Sequence, residues 1–156
     1  MTREIKFRAW NGEKMFDVSA IDFAGYKILD NETRLDEWSR WKKDCVLMQF
    51  TGLLDKNGKE IYEGDIVIAD DGGEWFPHEY DEEKDEYYPT GKYLVEYDSE
   101  FARFILIDPK TNCEAECDYN PFSLPDFTLE VIGNKFQNPE LLKEVKNEYT
   151  VCMESF

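Results

Sequence analysis

The chain has 156 residues, and 35 aspartates and glutamates against 18 lysines and arginines give it a net charge of −17. That balance opposes direct binding to a nucleic-acid phosphate backbone, which needs lysine and arginine to release counterions, and opposes docking on an anionic membrane leaflet. Eleven Phe, nine Tyr and four Trp supply large apolar bodies, so a chain of this length can build its own core, unlike a disordered chain, which is poor in aromatics.

In chain order, Ile5, Phe7 and Ala9 alternate with Lys6 and Arg8, and Trp10 precedes Asn11-Gly12. This predicts a half-buried strand and a turn, with Met15 to Val18 returning as the second arm of a hairpin. Arg3, Lys6 and Arg8 are expected to pair with carboxylates at the surface, for about 0–1 kcal/mol per exposed pair. Gly25 marks a break before a short strand at Tyr26 to Leu29. From Thr33 to Asp44 the period changes. Leu35, Trp38 and Trp41 recur at helical spacing, with Asp36 and Glu37 in the first turn and Lys42-Lys43 in the last, which predicts a helix. Its aromatic stripe is read as a packing or interface face.

Cys45 to Phe50 is a compact apolar run, expected as a buried strand with Cys45 packed as a small hydrophobe. From Gln49 to Val67 the sequence reads QFTGLLDKNGKEIYEGDIV. Asp55-Lys56-Asn57-Gly58 is a hairpin turn in which Asn-Gly supplies positive φ, and Gly64-Asp65 opens a β-branched strand, an entry similar to that of small SH3-like barrels. Residues 70–90 depart from the rest in composition. They run through Trp75-Phe76-Pro77-His78 into EYDEEKDEYYP, and are expected as an exposed loop or extended hairpin tip, since like charges resist packing. Strands are predicted at Lys92 to Asp98, Phe101 to Asp108 and Leu129 to Ile132. Pro121 and Pro125 argue against a central strand between the last two. Asn138-Pro139-Glu140 starts a short C-terminal helix that fades by Asn147, followed by a tail over 148–156.

Three ordered blocks, EIKFRAW from Glu4, QFTGLLDKNGKEIYEGDIV from Gln49 and EVIGNKFQNPELL from Glu130, resemble the YopX family of phage and prophage proteins. The resemblance spans Arg3 to Leu142. It implies a β-rich fold and a phage-encoded cytoplasmic protein, with no settled activity and no catalytic residues to carry over.

Tests for chemistry return little. Cys113 and Cys117 lie four apart, but a closed zinc site needs four ligands, and His78, Cys45 and Cys152 would have to converge on them. Asp55-Lys56-Asn57-Gly58 fails as a calcium loop because its glycine falls fourth and Ile66 occupies the twelfth position. His78 lies in the acidic insert with no nucleophile marked nearby, and no phosphate-binding glycine loop is present. No catalytic residue, metal or cofactor is expected. Scattered cysteines, an N-terminus without a signal-peptide pattern and the absence of an apolar run near ~18 residues predict a cytoplasmic protein with free thiols.

The reading is one β-rich domain over 1–147, a partly open SH3-like barrel or bent antiparallel sheet with one mid-chain helix and a short C-terminal helix. Its function is a non-enzymatic, acidic protein-interaction module whose partner is a basic host or phage protein. Glu79, Asp81, Glu82, Glu83, Asp85 and Glu86, with the aromatic face of Trp38 and Trp41, are the candidate interaction residues. Edge pairing makes a homo-oligomer an open possibility. The alternative is a carboxylate-based small-molecule or divalent-cation-binding domain or hydrolase. The plainest account of the acidity is solubility.

Overall fold

The computed structural model describes residues 4–25, 27–31, 42, 44–70, 91–109 and 128–142. Among these residues nine strands are present: β1 (Phe7–Trp10), β2 (Met15–Asp22), β3 (Lys27–Asp30), β4 (Val46–Leu54), β5 (Glu60–Tyr62), β6 (Asp65–Asp70), β7 (Gly91–Asp98), β8 (Arg103–Ile107) and β9 (Thr128–Asn134). They form two antiparallel sheets, a five-stranded one in the order β3-β2-β1-β4-β5 and a four-stranded one in the order β8-β7-β6-β9. The β-rich class and the strand positions follow the alternation in the sequence.

The first hairpin closes as its turn residues predict. Asn11 Oδ1 accepts the amides of Glu13 and Lys14 at 2.9 Å each, and Trp10 pairs with Met15. The second hairpin is a three-residue loop with a glycine bulge: Gly58 N–H donates to the Asp55 carbonyl at 2.9 Å, Asp55 N–H donates to Lys59 at 2.7 Å, and Gly58 takes the left-handed conformation at φ 81°.

Each sheet has its own apolar cluster. In the first, Ala9, Phe16 and Ile28 are buried, with Val18, Cys45 and Leu47 packed against them. In the second, Val67, Ala69, Tyr93, Val95, Leu106 and Leu129 are buried on one face, and Ile61 from β5 of the other sheet joins them. Ile61, Val67 and Val95 are fully buried, and each contributes about 1.5–3 kcal/mol relative to exposure. The chain passes between the sheets through the two residues separating β5 from β6, Glu63 and Gly64.

The expected mid-chain helix over 33–44 is not supported. Lys42 both donates to and accepts from the Ile28 backbone at 2.8 Å, an antiparallel bridge to β3, and Asp44 has φ 57°. A residue whose amide and carbonyl are spent on a strand edge cannot continue an i to i−4 ladder, so tertiary pairing overrides the apolar spacing there. Residues 33–41 and 43 of that span lie outside the described residues. At the other end, the start of the expected C-terminal helix is a 3₁₀ turn at Pro139–Leu142, and residues 143–147 lie outside the described residues. No helix of the described residues is long and apolar enough to cross a membrane.

Gly64 is the glycine the crossing cannot replace. Its φ is 80°, and a Cβ there would meet Met48 Sδ at 3.2 Å and Lys135 Cε at 3.4 Å, whereas a Cβ at Gly58 meets nothing within 4 Å. Gly58→Ala should cost about 1–2 kcal/mol from backbone strain alone, and Gly64→Ala should cost more. Urea unfolding midpoints of the two variants measure the difference, and equal losses would mean that crowding at the crossing is relaxed without cost.

Candidate functional site

Of the four buried polar residues among those described, Asp65 and Asn134 meet at the sheet crossing, Asp55 lies at the adjoining edge of β9, and Asp30 lies apart in β3. Asp65, the first residue of β6, is 1% exposed. Its Oδ1 accepts from Arg8 Nη2 of β1 at 2.7 Å and its Oδ2 accepts the Tyr62 amide at 2.8 Å. Arg8 Nη2 also donates to the Glu63 carbonyl at 3.3 Å, and the guanidinium lies 4.6 Å from the centre of the Tyr62 ring. The expectation that Arg8 pairs at the surface is therefore corrected. The face of β1 that alternation marks as polar is covered by the β5–β6 crossing, and Arg8 is the counter-ion of a buried carboxylate.

The row continues outward. Tyr62 Oη donates to Glu60 at 2.7 Å, Glu60 also pairs with Lys6, and Lys6 reaches Glu4 at 3.2 Å. Lys6 sits 5.7 Å from the centre of the Phe50 ring, and Phe50 and Tyr62 pack with centroids 5.4 Å apart. Lys6 and Glu60 are part-exposed, so the surface pairing predicted for Lys6 is observed. The Lys6 ammonium, held by Glu60 and then Glu4, stays above its ordinary range. Hydrogen bonds from Lys6 and then Tyr62 hold Glu60 low, while burial and then the Glu60 carboxylate push the Tyr62 phenol up.

Strand β9 closes the other side. Asn134 is buried, and its Nδ2 donates to the Gly64 carbonyl at 2.9 Å, which Lys135 N–H also reaches at 2.9 Å. Trp10 and Phe136 stack with centroids 6.0 Å apart. The turn of the β4–β5 hairpin caps the outer edge of β9, with Lys56 N–H donating to the Leu129 carbonyl at 2.8 Å and Val131 N–H donating to Asp55 Oδ2 at 3.1 Å. Asp55 Oδ1 takes the amides of Asn57 at 2.8 Å and Lys59 at 2.9 Å. Desolvation opposes ionisation of Asp55, but the amides of Lys59, Val131 and Asn57 outweigh it and hold the carboxyl below its ordinary value.

These carboxylates are engaged, and those whose acidity shifts move down, away from the range of a general acid working near neutrality. The node is a clamp between the two sheets. Among the described residues no group of three or more His, Cys, Asp or Glu side chains is placed to hold a metal ion. The interaction residues expected from the sequence, Trp38, Trp41, Glu79, Asp81, Glu82, Glu83, Asp85 and Glu86, all lie outside the described residues, as do His78, Cys113, Cys117 and Cys152. Sequence reasoning named Gly64-Asp65 as a strand entry but missed its pairing with Arg8. A charged residue in an alternating strand carries no mark of which later segment will cover it.

A two-sheet antiparallel β protein clamped through its crossing is the class that this geometry defines. The model of the YopX protein family matches residues 6–143, and the chain belongs to that family. The crystal structure of protein EF1440 from Enterococcus faecalis is similar, with a TM-score of 0.53 and 26% identity, covering 91% of this chain and 100% of that one. No curated protein sequence matches. The three sequence blocks that resemble the family meet at the clamp: Arg8 on Asp65, Trp10 on Phe136 and Gly64 on Asn134.

Arg8→Met removes the counter-ion of a buried carboxylate and should cost about 3–5 kcal/mol, read as a fall in the urea midpoint; a loss under 1 kcal/mol would place the pair in the surface class. Asp55 supplies an acid-labile contribution. Because its folded value is depressed, that stabilisation is complete above the ordinary value of 3.8 and is lost as pH falls through the lower folded value. Asp55→Asn should be less stable at neutral pH and should show a shallower decline of stability below that value than the unaltered chain. Parallel acid limbs would contradict the assignment.

Proposed function

We propose that this YopX-family chain is a phage- or prophage-encoded, non-enzymatic protein that acts in the bacterial cytoplasm as an acidic interaction module for a basic host or phage protein. The observation that carries the reading is the division of its carboxylates. Asp55, Asp65 and Glu60 are tied into the clamp, while the surplus charge sits in two connecting segments. Residues 70–90 hold nine carboxylates and one lysine, and residues 110–127 hold four and one, together a net −11 of the total −17.

The ends of both connections support the same reading. Ala69 pairs with Gly91, Asp70 with Thr128 and Leu94 with Ile107, so the chain leaves for both segments, and returns from both, at one end of the four-stranded sheet. A concentrated field of one sign speeds encounter with a partner of the opposite sign and repels nucleic acid. The Asp55 and Lys56 contacts on the outer edge of β9 favour a partly open, SH3-like closure of this half of the chain. Glu79, Asp81, Glu82, Glu83, Asp85 and Glu86 are the interaction residues in this reading, with Trp38 and Trp41 as the aromatic contribution.

Affinity capture of the tagged protein from host cells, beside a variant with Glu79 to Glu86 replaced by a neutral Gly/Ser loop, tests it. A basic protein held by the unaltered chain, released by salt and lost by the variant is the expected result. Equal capture by both chains, or capture insensitive to salt, overturns it.

A further inference from the structure

The chain has two Asn-Gly pairs, Asn11-Gly12 and Asn57-Gly58, both in hairpin turns and both with the glycine in the left-handed region, at φ 96° and 81°. Asn-Gly is the dipeptide in which the backbone amide after asparagine can close on its side chain, because glycine puts no Cβ in the way. In that reaction a solvent base takes the glycine N–H proton, the amide nitrogen bonds to the asparagine Cγ, and the C–N bond to the side-chain amine breaks with release of ammonia. Water then opens the succinimide to an aspartyl or isoaspartyl residue, with no oxidant, reductant or cofactor needed.

The two turns hold these atoms in opposite ways. Gly58 N–H is donated to the Asp55 carbonyl at 2.9 Å, so the nucleophile of the second pair is tied and its proton is shielded from base, as a hydrogen-bonded amide is shielded from exchange. Gly12 N–H donates to no group among the described residues, Gly12 to Lys14 are exposed, and an added Cβ at Gly12 would meet nothing within 4 Å. The electrophile is prepared as well. Asn11 Oδ1 accepts two backbone N–H groups, from Glu13 and Lys14, at 2.9 Å each. That is the oxygen on which charge develops when Cγ is attacked, and two fixed donors stabilise it as an oxyanion hole does.

We infer that Asn11-Gly12 is a self-modification site of the folded protein, converting to an aspartyl or isoaspartyl residue, while Asn57-Gly58 is protected by its own turn. The product matters locally because the isoaspartyl form inserts a methylene into the backbone and withdraws the side-chain oxygen from the Glu13 and Lys14 amides. The β1–β2 hairpin that carries Arg8 toward Asp65 is loosened as a result.

The test is timed incubation of the purified full chain at mildly alkaline pH, folded and in urea, followed by peptide mapping with isoaspartate detection at both positions. In the folded protein, position 11 should convert faster than position 57 by about tenfold or more. In urea the two should approach one rate, since each is then an unstructured Asn-Gly. Comparable rates in the folded chain, or conversion of position 57 first, would overturn the inference. So would a position 11 that reacts in urea but not in the folded protein, because the Asx turn would then be a restraint and not an activator. Asn11→Gln, whose longer side chain must close a six-membered imide and does so far more slowly, supplies the folded control and should show no conversion at that position on the same timescale.

Discussion

A carboxylate at the point where the chain leaves one sheet for the other is the constraint on which the structure rests. Asp65 is almost wholly buried, and an ion in that position is tolerable only with a charge partner and with its remaining lone pairs occupied. Arg8 provides the first and the Tyr62 amide the second. Because Arg8 belongs to β1 and Asp65 to β6, meeting that electrostatic requirement fixes the five-stranded sheet against the four-stranded one. Gly64 makes room for the pair by taking a conformation that other residues resist, and its carbonyl is then available to Asn134 and Lys135.

The clamp also neutralises charge where the two sheets meet. Self-repulsion acts against any acidic fold, yet the carboxylates at the crossing are locally neutralised or bonded to backbone amides. Lys6, Glu60, Tyr62 and Arg8 form a graded row from part-exposed to buried, in which each charge faces an opposite charge or a ring. In sequence, the excess negative charge is concentrated in residues 70–90 and 110–127. The family-like blocks supply the residues of the clamp.

Legibility differs between elements for physical reasons. The strands Gly91–Asp98 and Arg103–Ile107 and the Met15 to Val18 part of β2 are readable because a half-buried sheet imposes a period of two on the sequence, while β2 runs on to Asp22 beyond that reading, and the turns at Asn11-Gly12 and Asn57-Gly58 are readable because few residues tolerate their backbone angles. The helix expected at 33–44 rested on three apolar residues at helical spacing, a weak signal that backbone pairing of Lys42 with Ile28 overrode at its end. Of the clamp, Gly64-Asp65 was legible as a strand entry, but its meaning was not. Arg8 and Asp65 are 57 positions apart, and nothing local in either segment names the other.

The sequence by itself determined the β-rich class, the turns, the acidity and its concentration in residues 70–90, because each of these depends on residues a few positions apart or on a simple sum. Only the tertiary structure decided that the strands divide into two sheets, that the hairpin turn at Asp55 caps the edge of β9, and that Arg8 is an interior counter-ion. Those outcomes depend on which distant backbone edges find partners and which faces are then removed from water. That choice is made by the whole chain, because burial and pairing are properties of contacts between segments and not of any segment alone.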